Sequence, residues 1–172
     1  MKQWILGGVL VALAVSSGVY AAQKSKGLTA LDYAEINQLY IRYNYGIDTN
    51  GENGMMWAGT FTPDGVFELV GQKKFEGREA LLGFARGVGK GLNGAPHHFA
   101  TNVRIEPSPE GARGSAYFFN VPTPEPSKPA TITGTGTYED IIVKTAEGWR
   151  FKQRRFYSNA LPPAMMGQVS AR

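Results

Sequence analysis

The chain has 172 residues, a formal net charge of +4 and no cysteine. The lack of cysteine excludes a disulfide framework, and the basic residues are too scattered to indicate a nucleic-acid surface. We therefore expect a protein that acts through a small-molecule pocket or a partner surface.

The first 22 residues have the pattern of a signal peptide. Lys2 precedes an apolar stretch over 5–15, and Val19 and Ala21 stand where a signal peptidase prefers small residues. The apolar stretch is shorter than the roughly 20 residues that span a bilayer, and an uncleaved membrane anchor is the alternative. Cleavage predicts a periplasmic or secreted protein with a linker over 23–28, one domain over 29–160 and a tail over 161–172. The exact cleavage site is left open.

Three helices are predicted in the first half of the domain. Thr29 and Asp32 have the spacing of a capping box, followed by an apolar stripe to about Ile47. A short second helix over 55–61 should end at the turn-forming sequence 63–65, ahead of a strand over 66–70. A short strand over 73–75 then precedes a third helix that starts at Gly77 and ends within 87–94.

The second half of the domain changes to long strands. Branched and aromatic residues predict strands over 98–106, 114–121, 131–144 and 149–159, with a proline-rich loop over 122–129. Helices followed by an antiparallel meander indicate an α+β fold in which the sheet wraps over the helices.

His97 and His98 are the two histidines of the chain. They are adjacent at the start of a predicted strand, so their side chains should point to opposite faces. This argues against a metal site that uses both, and no further ligand set is present. Alternation favours His98 as the inward residue, with Ala100 and Asn102 on the same side. A surface histidine beside a satisfied core histidine is the alternative interpretation.

Asp48 closes the first predicted helix after an apolar and aromatic sequence. A carboxylate is unfavourable near the negative end of a helix dipole, so we expect Asp48 to have a partner. A plain turn aspartate beside Asn50 and Gly51 is the alternative.

Three segments resemble the SnoaL-like branch of the nuclear transport factor 2-like superfamily. They are LY with YGID at 39–40 and 45–48, HFATNVR at 98–104, and GTYE with GWRF at 136–139 and 148–151. Their order and spacing are similar to those of hexachlorocyclohexane dehydrochlorinase and, more distantly, of scytalone dehydratase. The resemblance covers about 31–159 and implies a cone-shaped fold, with N-terminal helices packed in a strongly curved antiparallel or mixed sheet around a pocket.

The resemblance also implies a catalytic set of His98, Asp48 and Arg154. His98 falls on the family's base and Asp48 on its orienting carboxylate, while Arg154 on the last strand would stabilise negative charge. Pairing of Arg154 with Glu139 on the neighbouring strand is the alternative. The same resemblance implies a reaction without cofactor or metal.

Two positions depart from the dehydrochlorinase pattern. Tyr43 stands in place of a lysine and Phe67 in place of an indole, which disfavours halide elimination and favours loss of an oxygen-bearing group. Phe119 and Tyr138 match pocket-lining positions but are equally consistent with core aromatics. The residues expected to contact substrate are Tyr43, Phe67, Asn102, Phe119, Tyr138 and Trp57.

Together these observations predict a cofactor-independent lyase in which His98 abstracts a proton from a small, apolar and aromatic substrate. An isomerase that uses the same base is the second choice. Water, formaldehyde or another small group would leave. The alternatives are a non-catalytic ligand-binding protein of the same fold, and a dehydrochlorinase or hydrolase on the same scaffold. We expect a homodimer or homotrimer formed through the outer face of the sheet. The apolar tail over 161–166 would cover the pocket mouth or a neighbouring subunit, or else be disordered.

Overall fold

The computed structural model of the chain describes residues 27–91, 97–122 and 129–159. The predicted signal peptide, most of the linker, the C-terminal tail and most of the proline-rich loop lie outside these ranges. Within the described part of the chain, no helix combines the length and the apolar character needed to cross a membrane.

Helix α1, Ala30–Thr49, begins at the predicted capping box. The Thr29 amide donates to Asp32 Oδ2 at 2.9 Å, and the Asp32 amide donates to Thr29 Oγ1 at 3.2 Å. Asp32 also accepts a hydrogen bond from Lys144 at 2.7 Å and one from the Trp149 indole at 3.2 Å. The cap therefore satisfies the free amides of the first turn and ties the start of α1 to the last strands.

The end of α1 is compact because Asn50 adopts a left-handed conformation with φ 48°. A 3-10 turn over Gly51–Gly54 follows, and then the one-turn helix α2, Met55–Ala58. Gly46 allows α2 to pack on α1, since a Cβ there would lie 2.6 Å from the backbone nitrogen of Trp57. The predicted second helix is shorter than expected, and Phe61 belongs to the strand that follows.

The strands are β1 Phe61–Leu69, β2 Lys73–Glu76, β3 His97–Ser108, β4 Gly111–Val121, β5 Gly134–Thr145 and β6 Gly148–Ser158. They form one curled, unclosed sheet in the order β2-β1-β6-β5-β4-β3. Helix α3, Gly77–Gly91, lies between β2 and β3 in the chain. Strands β1 and β6 are parallel and the other neighbours are antiparallel. The expected α+β fold, with helices ahead of a mixed curved sheet, is confirmed.

The predicted turn at Pro63–Gly65 is wrong, because these residues lie inside β1. Phe61 pairs with Phe151 and Val66 pairs with Gln153, so the intervening residues of β1 form a bulge. A bulge accommodates a proline that cannot donate to the ladder, and Pro63 and Asp64 are exposed there.

Helix α1 packs against the concave face of the sheet. Small residues on β4, Ala112, Gly114 and Ala116, leave room for it, and all three are buried. A Cβ at Gly114 would overlap the hydroxyl oxygen of Tyr40 on α1. The small side chains of β4 thus make room for the large side chains of α1, with Tyr40 lying directly over Gly114.

Candidate active site

Asp48 and His98 are in contact, although 50 residues separate them in the chain. Asp48 lies in the last turn of α1 and His98 is the second residue of β3. The Asp48 carboxylate accepts the His98 backbone N–H at 3.1 Å and 3.2 Å, and its Oδ1 contacts the ring atom Nδ1. The two side chains are 13% and 15% exposed. The carboxylate therefore fixes both the backbone and the ring of His98.

This contact determines which nitrogen of His98 can act as a base. An ionised carboxylate only accepts hydrogen bonds, so Nδ1 carries the proton when the ring is neutral. The lone pair is then on Nε2, on the side of the ring away from Asp48. Nε2 has no hydrogen-bond partner among the residues that the structure describes.

The ring of His98 lies beside an aromatic interior. His97 is exposed, whereas His98 is half-buried and its ring centroid is 5.5 Å from that of Phe118. Phe118 in turn contacts Tyr138 at 5.5 Å and Phe156 at 5.0 Å. The sequence-based expectation that His98 rather than His97 points inward agrees with this geometry.

Phe119 does not line the interior, in contrast to the expectation from the sequence. The inward residues of β4 have even numbers, and Phe119 points to the opposite, convex face, where it stacks on Phe99 at 4.8 Å. Its neighbour Phe118 occupies the concave position beside His98. Residues two apart in a strand point to the same face, so the small residues Ala112 and Ala116 place Phe118 on the concave face and Phe119 on the convex face.

Asn102 was expected to face inward and contact substrate, and this expectation is also wrong. It has φ 53° and its side chain is exposed, so it does not face the interior. The pairing of β3 with β4 shifts between Thr101 and Arg104, which marks a bulge. Beyond the bulge the core-facing residues are Val103 and Ile105, because the bulge reverses the alternation that holds from His98 to Ala100.

Arg154 is buried in the interior with 0% exposure. Its Nε and Nη2 atoms each donate to Asp140 at 2.8 Å, and the Tyr40 hydroxyl donates to the same carboxylate at 2.5 Å. The expected alternative partner, Glu139, is wrong. Glu139 lies on the convex face opposite Arg155, while Asp140 is the residue that β5 places across from Arg154.

Four aromatic rings surround the guanidinium of Arg154. Its Cζ atom lies 3.9–4.7 Å from the centroids of Phe151, Tyr138, Tyr43 and Tyr40. Burial alone lowers the pKa of Arg154, but the Asp140 carboxylate outweighs it and keeps this pKa above its ordinary value. Arg154 is therefore a permanent cation in an aromatic enclosure.

The other expected contact residues belong to the same interior. Tyr43, Phe67, Trp57 and Tyr138 are at most 4% exposed. Trp57 contacts Tyr43 at 5.3 Å and Phe67 at 5.5 Å. Burial raises the pKa of the Tyr43 and Tyr138 hydroxyls, so both remain protonated donors at neutral pH.

The arrangement combines one oriented histidine with an apolar interior that contains a fixed cation. Asp140 and Phe118 are functional candidates that sequence reasoning missed. In the described part of the chain, no group of three His, Cys, Asp or Glu residues is placed to hold a metal ion. The geometry is suited to moving a proton at the edge of a low-dielectric site.

Solved structures with this architecture include several bacterial proteins. A Mycobacterium tuberculosis protein of unknown function is 29% identical, with a TM-score of 0.66 over 76% of this chain and 73% of that chain. A nuclear transport factor 2-like protein with a cystatin-like fold from Novosphingobium aromaticivorans is 18% identical, with a TM-score of 0.67 over 94% and 97%. A candidate scytalone dehydratase from the same organism is 22% identical, with a TM-score of 0.63 over 75% and 85%.

No curated protein matches the chain. The family model described as a SnoaL-like domain matches residues 28–155, which is most of the sequence and contains both partners of the Asp48–His98 pair as well as Arg154. The chain therefore belongs to the SnoaL-like domain family, within the nuclear transport factor 2-like superfamily.

Proposed function

We propose that the protein is a cofactor-independent lyase in which His98 removes a proton from a substrate carbon. The observation that carries this proposal is the Asp48 carboxylate bound to Nδ1 of His98, which leaves Nε2 as the basic nitrogen. Isomerisation, in which the same proton returns to another carbon, is the second choice.

The proposed elimination balances without a co-reactant. The C–H proton passes to Nε2, and its electron pair forms a carbon–carbon double bond as the leaving group departs with the bonding pair. The resulting imidazolium is stabilised by Asp48 and returns its proton to the leaving oxygen, so that hydroxide departs as water. Positioned acid–base catalysis of this kind contributes about 100- to 10,000-fold in rate.

The aromatic rings next to His98 support the proposed substrate class. Phe118 contacts His98, and Phe118 continues through Tyr138 to Tyr43, so the interior beside the base is aromatic and favours a small apolar ligand with an aromatic ring. The structural likeness to a candidate scytalone dehydratase supports an elimination that releases water. Loss of formaldehyde is also compatible with the same base, which would then take the O–H proton of a CH2OH group while the carbon–carbon bond breaks and its electron pair displaces a leaving group on the neighbouring carbon.

The test is a substrate screen followed by two variants and a matched control. Purified protein is incubated with hydroxylated, diaryl and halogenated aromatic compounds, and products are identified by mass spectrometry. For the compound that is converted, we expect His98→Ala to lower kcat by about 100-fold or more and Asp48→Asn to lower it by a similar factor, because an amide favours the wrong tautomer.

His97→Ala is the control, since His97 is adjacent in the chain but exposed. It should leave kcat within a few-fold of the wild type. Turnover that survives His98→Ala at a comparable level would show that the base is wrongly chosen. Binding without conversion of any compound would instead favour the non-catalytic ligand-binding alternative.

We also propose a homodimer or homotrimer built on the convex face of the sheet, in a protein that is exported to the periplasm. The stacked Phe99 and Phe119 and the 59% exposed Tyr117 support the contact surface. Export rests on the signal-peptide pattern of residues 1–22.

A further inference from the structure

A groove runs along the outside of the molecule between helix α3 and the edge strand β2. It encloses about 610 Å³, a volume within the range of small-molecule sites. Helix α3 lines it from Ala80 to Val88, which is a length of roughly 12 Å at about 1.5 Å per residue. The groove therefore has the size and the elongated shape of a site for a small, extended ligand.

The floor of the groove, formed by α3, has no side chains at two positions. Gly83 and Gly87 are one helical turn apart and both are exposed. A Cβ at either would meet no heavy atom within 4 Å, so no packing contact requires a glycine there. Glycine is less favourable than alanine inside a helix. The two positions leave a bare floor that a ligand can approach closely.

Two aromatic rings form the apolar wall of the groove. Phe75 on β2 and Phe84 on α3 have ring centroids 4.7 Å apart, and both are half-buried. The buried Phe67 lies behind them, at 6.3 Å from Phe75 and 5.0 Å from Phe84. The wall is therefore held in place by the core, and its outer side presents apolar surface to the groove.

Two lysines supply positive charge at the same groove. Lys73 and Lys74 are exposed and line it, and Lys73 Nζ lies 5.0 Å from the Phe75 ring centroid. In the described part of the chain neither lysine forms an ion pair, since Glu68, which stands opposite Lys74 in the sheet, is bound to Arg155 at 3.1 Å. No described carboxylate lines the groove. Both charges are therefore open to an anion.

We propose that this groove binds a small carboxylate with an unbranched alkyl chain, of the medium-chain fatty-acid class. The chain lies over the two glycines and packs against the two phenylalanine rings, while the carboxylate pairs with the two lysines. An extended chain, in contrast to a compact ring, contacts the bare floor along its whole length.

The groove is a second site, apart from the one that His98 borders. Phe84 contacts the core at Trp57, with ring centroids 5.1 Å apart. The aromatic residues that lie between Phe84 and His98 are Trp57, Tyr43, Tyr138 and Phe118. Binding in the groove therefore does not depend on proton transfer at His98.

The experiment compares octanoate with 1-octanol, which share an eight-carbon chain and differ in charge near neutral pH. Amide signals of the full chain are followed in ¹H–¹⁵N spectra during titration, and those of Gly83 and Gly87 are identified by single Ala substitutions. We expect both signals to move, while that of Gly148, in the turn between β5 and β6, stays in place. Octanoate should bind about 3- to 10-fold more tightly than 1-octanol, and added salt should reduce this preference.

Two variants test the charge and the floor separately. Lys73→Gln combined with Lys74→Gln should abolish the preference for octanoate. Arg104→Gln, which removes an exposed cation on the opposite edge strand β3, should leave the preference unchanged. Gly83→Leu fills the open floor with a residue that favours a helix, so it should weaken binding of both probes by about 10-fold or more.

Equal affinity for the two probes at low salt, no movement of the glycine signals at about 10 mM octanoate, or unchanged binding by Gly83→Leu would overturn the inference. The groove also falls as a ligand site if another part of the chain or a second copy fills it. In the first case Gly83→Leu without any probe would move the methyl signals of Met165 and Met166, and in the second it would change the mass in analytical ultracentrifugation. Turnover that depends on His98 would stand in each of these cases.

Discussion

Removing the carboxylate of Asp140 should destabilise the fold more than most single substitutions. Asp140 accepts two hydrogen bonds from Arg154 and one from Tyr40, and the side chains of Asp140 and Arg154 are both 0% exposed. In Asp140→Ala, the guanidinium stays buried without its counter-ion. Breaking a buried pair in this way costs about 3–5 kcal/mol, which is a large part of the roughly 5–15 kcal/mol that holds a domain folded.

The double variant Asp140→Ala/Arg154→Met tests whether the loss of stability comes from the uncompensated charge of Arg154. Arg154→Met removes the buried charge and retains an adaptable apolar chain that can pack among the four rings. When it is combined with Asp140→Ala, no uncompensated cation is left. We expect the double variant to be more stable than Asp140→Ala alone, and clearly more stable than the sum of the two single losses.

Urea unfolding followed by circular dichroism gives the free energy of unfolding of each variant, with the slope of the transition as a check on two-state behaviour. A cost of Asp140→Ala below about 1 kcal/mol, the value expected of a weak surface pair, would show that the buried guanidinium does not depend on this carboxylate. Additive losses in the double variant would show the same.

Three further predictions concern packing, pH and assembly. Gly114→Ala places a methyl group on the Tyr40 hydroxyl, so it should cost about 1–3 kcal/mol in urea unfolding, and the cost should fall when Tyr40 is already Phe. The pKa of Asp32 is lowered, first by its hydrogen bond from Lys144. Because this pKa is lower in the folded than in the unfolded chain, the stabilising effect is present above about pH 4 and is lost on further acidification. When Tm is measured by thermal unfolding at several pH values, Asp32→Asn should therefore lose less Tm than the wild type as the pH falls below about 4. Phe119→Lys should shift the protein toward monomer in analytical ultracentrifugation if the convex face is the subunit contact, and an unchanged mass would exclude Phe119 from it.

Much of the fold could be predicted because local signals determine it. The capping box at Thr29 and Asp32 sets the start of α1, and long runs of branched and aromatic residues mark β3 to β6. The start of β1 could not be predicted in this way. Pro63 and Gly65 have turn chemistry, and only pairing with β6 shows that they form a bulge within a strand.

The pairing of Asp48 with His98 could be predicted only because the family resemblance connects these two residues, which are 50 positions apart in the chain. The contact of Asp48 with His98 joins the end of α1 to the start of β3, which no local pattern specifies. Side-chain direction was predictable only as far as the strands stay regular. The bulge after Thr101 turns Asn102 outward, and the register of β5 against β6 gives Arg154 the partner Asp140 in place of Glu139.

Hydrogen isotopes at the substrate carbon report directly on proton abstraction by His98. For a compound that the wild-type protein converts, we expect a primary kinetic isotope effect on the cleaved C–H bond or exchange of that hydrogen with solvent. We expect both signatures to disappear in His98→Ala and to persist in His97→Ala. Conversion without an isotope effect or exchange, or with either signature intact in His98→Ala, would contradict proton abstraction by His98.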